Sequence, residues 1–90
     1  MSVAFHNIRD GENTELDTIK FNVQADSGAG IDKIEVYANG VKKQEENAAR
    51  IEVEWRLDRG VYQITAKAYS RDGQTQEKTI RVGVGGDKVE

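Results

Sequence analysis

The sequence contains no cysteine and no proline among its 90 residues, and it has a single tryptophan and a single histidine. Without cysteine the chain has neither a disulfide framework nor a thiolate nucleophile or metal ligand. Ninety residues can bury a core without such cross-links, which become usual only below about 40 residues. No apolar stretch approaches the roughly 18 residues of a membrane span. These absences indicate one small domain held together by packing.

The sequence also lacks a large excess of charge of one sign. The formal net charge is -3, and the 13 basic and 16 acidic residues are interleaved along the chain. A nucleic-acid partner would need a basic stripe on one face, which this distribution does not supply. We therefore expect no nucleic-acid partner.

Residues with catalytic or metal-binding chemistry are sparse. His6 has no second histidine or cysteine with which to form a metal site or a triad. Asp26 and Asp32 flank one loop, and Asp58 and Asp72 flank others, without the alternating carboxylates that calcium prefers. Capping of their own turns, which suits Asp58 and Asp72, is favoured over calcium binding. Glu52 and Glu54 share the outward face of one strand, where no glycosidase cleft is expected. We expect no catalytic residue, cofactor or metal.

Apolar and polar residues alternate with a period of two through most of the chain, which predicts β-strands. Asn39-Gly40 between two such segments is a strong signal for a type I′ hairpin turn. Residues 9–13 read as a turn in which Gly11 takes a positive φ. Repeated short strands separated by turns predict an antiparallel sandwich or barrel. The predicted strands are residues 3–8, 18–25, 31–38, 41–44, 50–57, 61–69 and 75–84.

The spacing of Asp58, Gly60 and Tyr62 is that of a tyrosine corner. In this motif of immunoglobulin-like sandwiches, the tyrosine hydroxyl bonds to backbone a few residues upstream and fixes the turn to the strand that follows. All three residues are therefore predicted to be structural.

Residues 31–40 resemble the V-x-x-V-E-F-Y-V-N-G hairpin of bacterial immunoglobulin-like domains. A strand ending in Trp55 follows, and then the pattern G-x-Y-x-x-x-A-x-A-x-D-x-x-G, except that Ser70 stands in place of the aspartate. The second half also resembles polycystic-kidney-disease-type domains. The resemblance implies an all-β, immunoglobulin-like antiparallel β-sandwich of about seven strands with Greek-key topology. The sandwich would span residues 1–84, with 85–90 as a flexible tail or linker.

Trp55 lies in the same alternate register as the apolar Ile51, Val53 and Leu57 of its strand, which predicts an inward-facing core residue. The interior is expected to be filled by Phe21, Val36, Trp55 and Ile64. Truncation of such a core aromatic to alanine typically costs about 3–5 kcal/mol.

Tyr37 and Tyr69 occupy outward registers of neighbouring strands, and Lys33 and Lys67 are expected beside them, together with Glu35 and Gln63. Three interpretations are open for this face. The tyrosines could form a cross-strand pair that stabilises the sheet. They could instead contact a neighbouring domain, or stack on a glycan.

For function, the resemblance implies a non-catalytic accessory module, acting as a structural spacer or protein-interaction domain. The parent would be a larger extracellular or cell-envelope bacterial protein, and the partners its neighbouring domains. The alternative is a carbohydrate-binding accessory domain of a secreted polysaccharide-degrading or cell-wall enzyme, with a glycan bound at Tyr37 and Tyr69. Met1 leads directly into strand-like sequence, which is not the pattern of a signal peptide. A cytoplasmic protein and a domain cut from an exported chain both fit, and size and composition favour the second.

Overall fold

The structure is a computed structural model that describes residues 1–86. All of its regular elements are strands, and eight are present in this part of the chain. Their bounds are β1 Ser2–His6, β2 Glu12–Asn13, β3 Thr18–Asp26, β4 Ile31–Ala38, β5 Val41–Glu46, β6 Arg50–Arg56, β7 Gly60–Ser70 and β8 Thr75–Val84.

The strands form two sheets, one of three strands in the order β1-β3-β6 and one of five in the order β2-β8-β7-β4-β5. All pairings are antiparallel except that of β2 with β8. The chain crosses between the sheets after β1, β2, β3, β5 and β6, and the two sheets face each other as a sandwich. The predicted all-β, immunoglobulin-like Greek-key sandwich is therefore confirmed.

The segment predicted as a turn at residues 9–13 contains an additional strand. Gly11 does have the expected positive φ, of 85°. Beyond it, Glu12 and Asn13 pair in parallel with Val82 and Gly83 of β8. Two residues are too short for alternation to reveal a strand, because the pairing depends on backbone that is distant in sequence. The effect is to cover the end of β8, which would otherwise be an open sheet edge.

The interior lies between the two sheets and is built from the alternate residues that the sequence marks as apolar. Phe21, Val36 and Ile64 are at most 1% exposed. The buried hydrophobic residues are Val3, Ile8, Ile19, Phe21, Val23, Ala25, Ile31, Ile34, Val36, Ala38, Ile51, Val53, Leu57, Ile64, Ala66, Ala68, Ile80, Val82 and Val84.

Trp55 differs from the other predicted core residues because it is only half-buried. It faces inward and packs against the core, and its ring meets that of Phe21 edge-on at 5.8 Å between centroids. Its strand, β6, is an edge strand, so one side of the indole has no neighbouring strand of its own sheet. Trp55 therefore closes the margin of the sandwich, and its truncation is expected at the lower end of the predicted range, about 3 kcal/mol.

The chain enters the sandwich at one end and leaves it at the other. Ser2 pairs with Asp26, so the chain enters where β3 ends. Val84 pairs with Gly60, so the chain leaves β8 at the opposite end, where β7 begins. We call these ends the entry pole and the exit pole. The molecule measures 41 × 21 × 20 Å along its principal axes.

The first two residues of the segment predicted as a tail, 85–90, are described by the structure. The amides of Gly85 and Gly86 donate to the carbonyls of Leu16 and Thr14 at 3.1 and 3.0 Å. These two residues are thus bonded to the body of the domain. Residues 87–90 lie outside the described part of the chain.

Candidate functional site on the outer face of the five-stranded sheet

The register of β4 against β7 places the four candidate surface residues on the same outer face. Lys33 lies opposite Tyr69, and Tyr37 lies opposite Thr65. Between these pairs, Glu35 lies opposite Lys67. Side chains two residues apart on a strand share a face, so the two pairs and their central pair form one continuous row.

Glu35 is the centre of this face and is only 6% exposed. The Tyr37 hydroxyl donates to its Oε1 at 3.0 Å. The ammonium groups of Lys42 and Lys33 lie 3.5 and 3.9 Å from its Oε2. A carboxylate is rarely buried without compensation, and here hydrogen-bond donors and cations together supply it. We call Glu35 with Lys33, Tyr37, Lys42 and Tyr69 the Glu35 cluster.

The environment favours the ionised form of Glu35. Hydrogen bonding from the Tyr69 hydroxyl is the main cause that lowers its pKa, to about 2, and the Tyr37 hydroxyl and Lys33 act in the same direction against the opposing effect of burial. Hydrogen bonds to a carboxylate stabilise its charged form. The same bond to Glu35 is the main cause that raises the pKa of the Tyr69 hydroxyl. The cluster therefore contains a carboxylate and neutral tyrosines over a wide pH range.

The two tyrosines are less available than their outward register predicts. Both are half-buried. The Lys33 and Lys67 ammonium groups lie over the Tyr69 ring, 4.7 and 5.2 Å from its centroid. These distances are within the range of cation–π attraction. Among residues 1–86 no ring contact joins Tyr37 to Tyr69 directly, and the Tyr37 hydroxyl bonds instead to Glu35, which lies between the two tyrosines in the strand register.

Gln63, predicted beside the tyrosines, takes part in a different contact. Its backbone N–H donates to the Asn39 side-chain carbonyl at 2.8 Å, at the exit-pole end of the face. The face is flat as well as polar: the described part of the molecule has no pocket. Within residues 1–86, no three His, Cys, Asp or Glu side chains are grouped closely enough to hold a metal ion. Such a surface can contact a partner, but it does not enclose a substrate.

The residues predicted to be structural lie at the exit pole. The Tyr62 hydroxyl donates to the Asp58 carbonyl at 2.7 Å, the hydrogen bond that defines a tyrosine corner. A Cβ on Gly60 would lie 3.8 Å from the Tyr62 ring, an ordinary contact, so space does not require glycine there.

Sequence reasoning missed Gln44, which bridges the two sheets at the β5–β6 margin. Its side-chain oxygen accepts from the Trp55 indole N–H at 3.1 Å, and its amide nitrogen donates to the Glu52 carbonyl at 3.2 Å. Gln44 pairs with Val36 and Lys42 pairs with Tyr37, so the register of β5 shifts by one residue between them. Alternation alone cannot locate such a bulge, because one extra residue reverses the faces that follow.

Ser70, at the position where the related motif has aspartate, was also not assigned a role. It is 5% exposed, and its hydroxyl donates to the Gly30 carbonyl at 3.2 Å. The Ser27 hydroxyl lies 2.8 Å away. Ser70 thus fastens the end of β7 to the loop before β4.

The sequence of the chain can be compared with those of known protein families. The sequence profile of the family described as bacterial Ig domain matches residues 3–66, which is more than two thirds of the chain. The chain belongs to the bacterial Ig domain family. No curated protein sequence matches it significantly.

The fold of this bacterial Ig domain is similar to that of a solved structure of another protein. A fibronectin(III)-like module of CbhA from Clostridium thermocellum aligns with a TM-score of 0.80 and 22% sequence identity. The alignment covers 92% of this chain and 94% of that module. At this identity the match concerns the fold, and the near-complete coverage of both chains shows that it extends to the whole sandwich.

No helix occurs in residues 1–86 that would be long and apolar enough to cross a membrane.

Proposed function

We propose that this bacterial Ig domain is a non-catalytic spacer and interaction module of a larger extracellular or cell-envelope protein. The observation that carries the proposal is the placement of chain entry and exit at opposite poles of an elongated body. A module built in this way adds its own length between the segments that it joins. The boundaries proposed for it are residues 1–84, extended by the hydrogen bonds of Gly85 and Gly86.

Two further observations support a non-catalytic role. Bacterial Ig domains and fibronectin(III)-like modules are typically non-catalytic parts of extracellular or surface proteins. In addition, the carboxylate with the most strongly lowered pKa, Glu35, is buried in hydrogen bonds and ion pairs on a flat sheet face. Perturbed groups often mark active sites, but networks that stabilise structure perturb them too.

The Glu35 cluster is better suited to stiffening the sheet than to binding a sugar. A sugar that stacks on tyrosine needs an open ring face. The lysine ammonium groups over Tyr69 and the hydrogen bond that holds Tyr37 restrict both rings. Displacing these contacts would cost part of the energy gained by stacking.

Affinity electrophoresis in gels containing soluble glycans, with pull-down on insoluble polysaccharides, tests the proposal. We expect no retardation and no capture. Retardation that Tyr37→Ala abolishes and Gln63→Ala retains would overturn it in favour of a carbohydrate-binding module. Gln63 is a matched control because it lies on the same sheet face and has no aromatic ring.

A further inference from the structure

Strand β1 forms an open edge of the three-stranded sheet. Within residues 1–86 its one neighbour in that sheet is β3, and in the facing sheet it lies against β8 and β7. An edge strand presents unpaired backbone N–H and C=O groups along one side, and these can pair with a strand of another molecule. Proteins usually prevent such pairing with charged side chains, proline, a bulge or a very short strand.

The other edges of the sandwich carry this protection, whereas β1 does not. β5 and β6 each contain four charged residues, and β2 is two residues long. The part of β8 that β2 leaves uncovered contains Glu77, Lys78 and Arg81. β1 has no proline and no acidic or basic residue other than His6, and it pairs with β3 without a bulge. Of the edges that the structure describes, β1 is therefore the one suited to strand pairing.

The hydrogen bonds of β3 show which backbone groups of β1 are free. The Ala25 amide donates to the carbonyl of the residue just before β6, so Ala25 faces the β6 side of its strand. Successive residues of a strand point their backbone groups to opposite sides, so Gln24 faces β1, where its partner is Ala4. The backbone groups of Val3 and Phe5 therefore face away from β3. Among residues 1–86, no loop hydrogen bond reaches these groups.

This edge is complementary to itself. When two copies of β1 lie antiparallel about a two-fold axis at Ala4, Val3 of each copy lies opposite Phe5 of the other. These are the residues with free backbone groups, so each such pair can exchange both of its hydrogen bonds. The two Ala4 residues meet at the axis as a non-hydrogen-bonded pair, with Cα atoms about 4.5 Å apart, and their small side chains suit this approach. On the inner face, Val3 would cover the open side of the half-buried Phe5 ring.

We propose that β1 pairs antiparallel with β1 of a second copy, so that the two three-stranded sheets join into one continuous sheet. A second copy presents the same two free residues in matching register, which an unrelated extended segment need not do. The pairing goes beyond the proposed function and does not depend on it, because it uses only the β1 edge. A strand of five residues buries less than the roughly 1,200 Å² of stable complexes. We therefore expect a reversible dimer with a Kd of about 10–1,000 μM.

Disulfide trapping tests the register of this pairing, since the chain has no cysteine of its own. Ala4→Cys would place two thiols at the axis with Cα atoms about 4.5 Å apart, within the roughly 4.4–6.8 Å that a disulfide spans. Ser2→Cys is the matched control, because Ser2 lies on the same face of β1 and is more exposed. Paired copies would hold the two Ser2 Cα atoms about 14 Å apart. With oxidised glutathione, Ala4→Cys should form covalent dimers at least about tenfold faster than Ser2→Cys.

Sedimentation equilibrium up to about 1 mM protein tests the dimer without a cross-link. The unsubstituted chain should dimerise reversibly. Ala4→Lys places like charges opposite each other at the axis and should weaken the dimer about tenfold or more. Gln24→Lys is the control, because it adds the same charge to the same sheet face on β3, where paired copies would hold the two substituted positions about 14 Å apart. Circular dichroism verifies that both variants fold, and the trapping comparison decides if Ala4→Lys does not.

Three results would overturn the pairing proposal. The first is an unsubstituted chain that remains monomeric up to about 1 mM. The second is trapping of Ser2→Cys as fast as that of Ala4→Cys, because exposure rather than register would then set the rate. The third is a dimer that a folded Ala4→Lys variant leaves unchanged, which would place the contact on another surface.

Discussion

At the residue scale, the tyrosine corner depends on a hydrogen bond from a single hydroxyl group. Tyr62 keeps its ring against the core and donates to the Asp58 carbonyl. The spacing of these residues was enough to anticipate the bond, because both partners lie within five residues. Local motifs of this kind depend little on the rest of the fold.

Tyr62→Phe removes that hydrogen bond and keeps the ring. We expect a loss of about 1 kcal/mol in the free energy of unfolding, the usual net value of one hydrogen bond. Urea denaturation followed by tryptophan fluorescence measures it. A loss below about 0.3 kcal/mol would show that water replaces the hydroxyl without cost.

Glu35 is expected to make stability depend on pH in the acid range. Its folded-state pKa, about 2, lies below the ordinary value of 4.5. The ionised group therefore stabilises the fold above about pH 4.5, and this contribution, at most about 3 kcal/mol, disappears as the pH falls towards 2. Glu35→Gln should flatten the stability profile between pH 5 and 2 and lower stability at pH 7 by about 1–3 kcal/mol.

Denaturation curves at several pH values provide the measurement for Glu35. Glu45→Gln is the control, because Glu45 pairs with the same two lysines while its side chain is 36% exposed. Exposed pairs contribute about 1 kcal/mol or less. If both variants flatten the profile equally, burial of Glu35 is not the cause.

At the element scale, the β4–β5 hairpin shows how a turn fixes the faces of two strands. Asn39 and Gly40 have φ values of 51° and 82°, the pair of positive values that a type I′ turn requires. Asn39 also exchanges hydrogen bonds with Gln63 of β7 through its amide and its side chain. The turn is thus anchored to the sheet on which it lies.

Gly40→Ala should destabilise the domain by about 1–2 kcal/mol, because an L side chain at positive φ is strained. Gly28→Ala is a matched control in another loop, where φ is not positive and a Cβ has open space. That substitution should be neutral or stabilise by up to about 1 kcal/mol. Thermal unfolding of both variants provides the comparison, and equal effects would contradict the explanation from backbone conformation.

The contact between β5 and β6 at the margin of the two sheets depends on Gln44. Gln44→Ala removes the acceptor for the Trp55 indole and the donor to Glu52, so we expect a loss of about 1–2 kcal/mol. Trp55 should also become more exposed, with a red shift of its fluorescence emission. Gln24→Ala, at an exposed position of β3, should change neither property. An unchanged emission spectrum in the Gln44 variant would show that the indole is held by ring packing alone.

At the scale of the whole molecule, the separation of the poles can be measured directly. The chain lacks cysteine, so Ser2→Cys with Glu15→Cys introduces one label at the entry pole and one at the exit pole. We expect a distance of about 30–40 Å by double electron–electron resonance, set by the 41 Å long axis. A distribution centred below about 20 Å would place both labels at one end and contradict the spacer geometry.

The sequence by itself determined the all-β class, most strand positions, the hairpin turn and the tyrosine corner. Each depends on alternation or on residues close together in the chain, so the physical cause is local. It also placed Tyr37 and Tyr69 on one outward face, because side chains alternate along neighbouring strands.

Only the tertiary structure decided the pairing of β2, the role of Gln44 and the burial of Glu35. Glu35 looks like any outward polar residue until Tyr69 and Lys42 are brought to it from two other strands. The exit pole is likewise formed by residues that are far apart in sequence, since the Gly85 amide donates there to the Leu16 carbonyl. Contacts of this kind depend on strand order and register, and those are set by the packing of the whole sandwich.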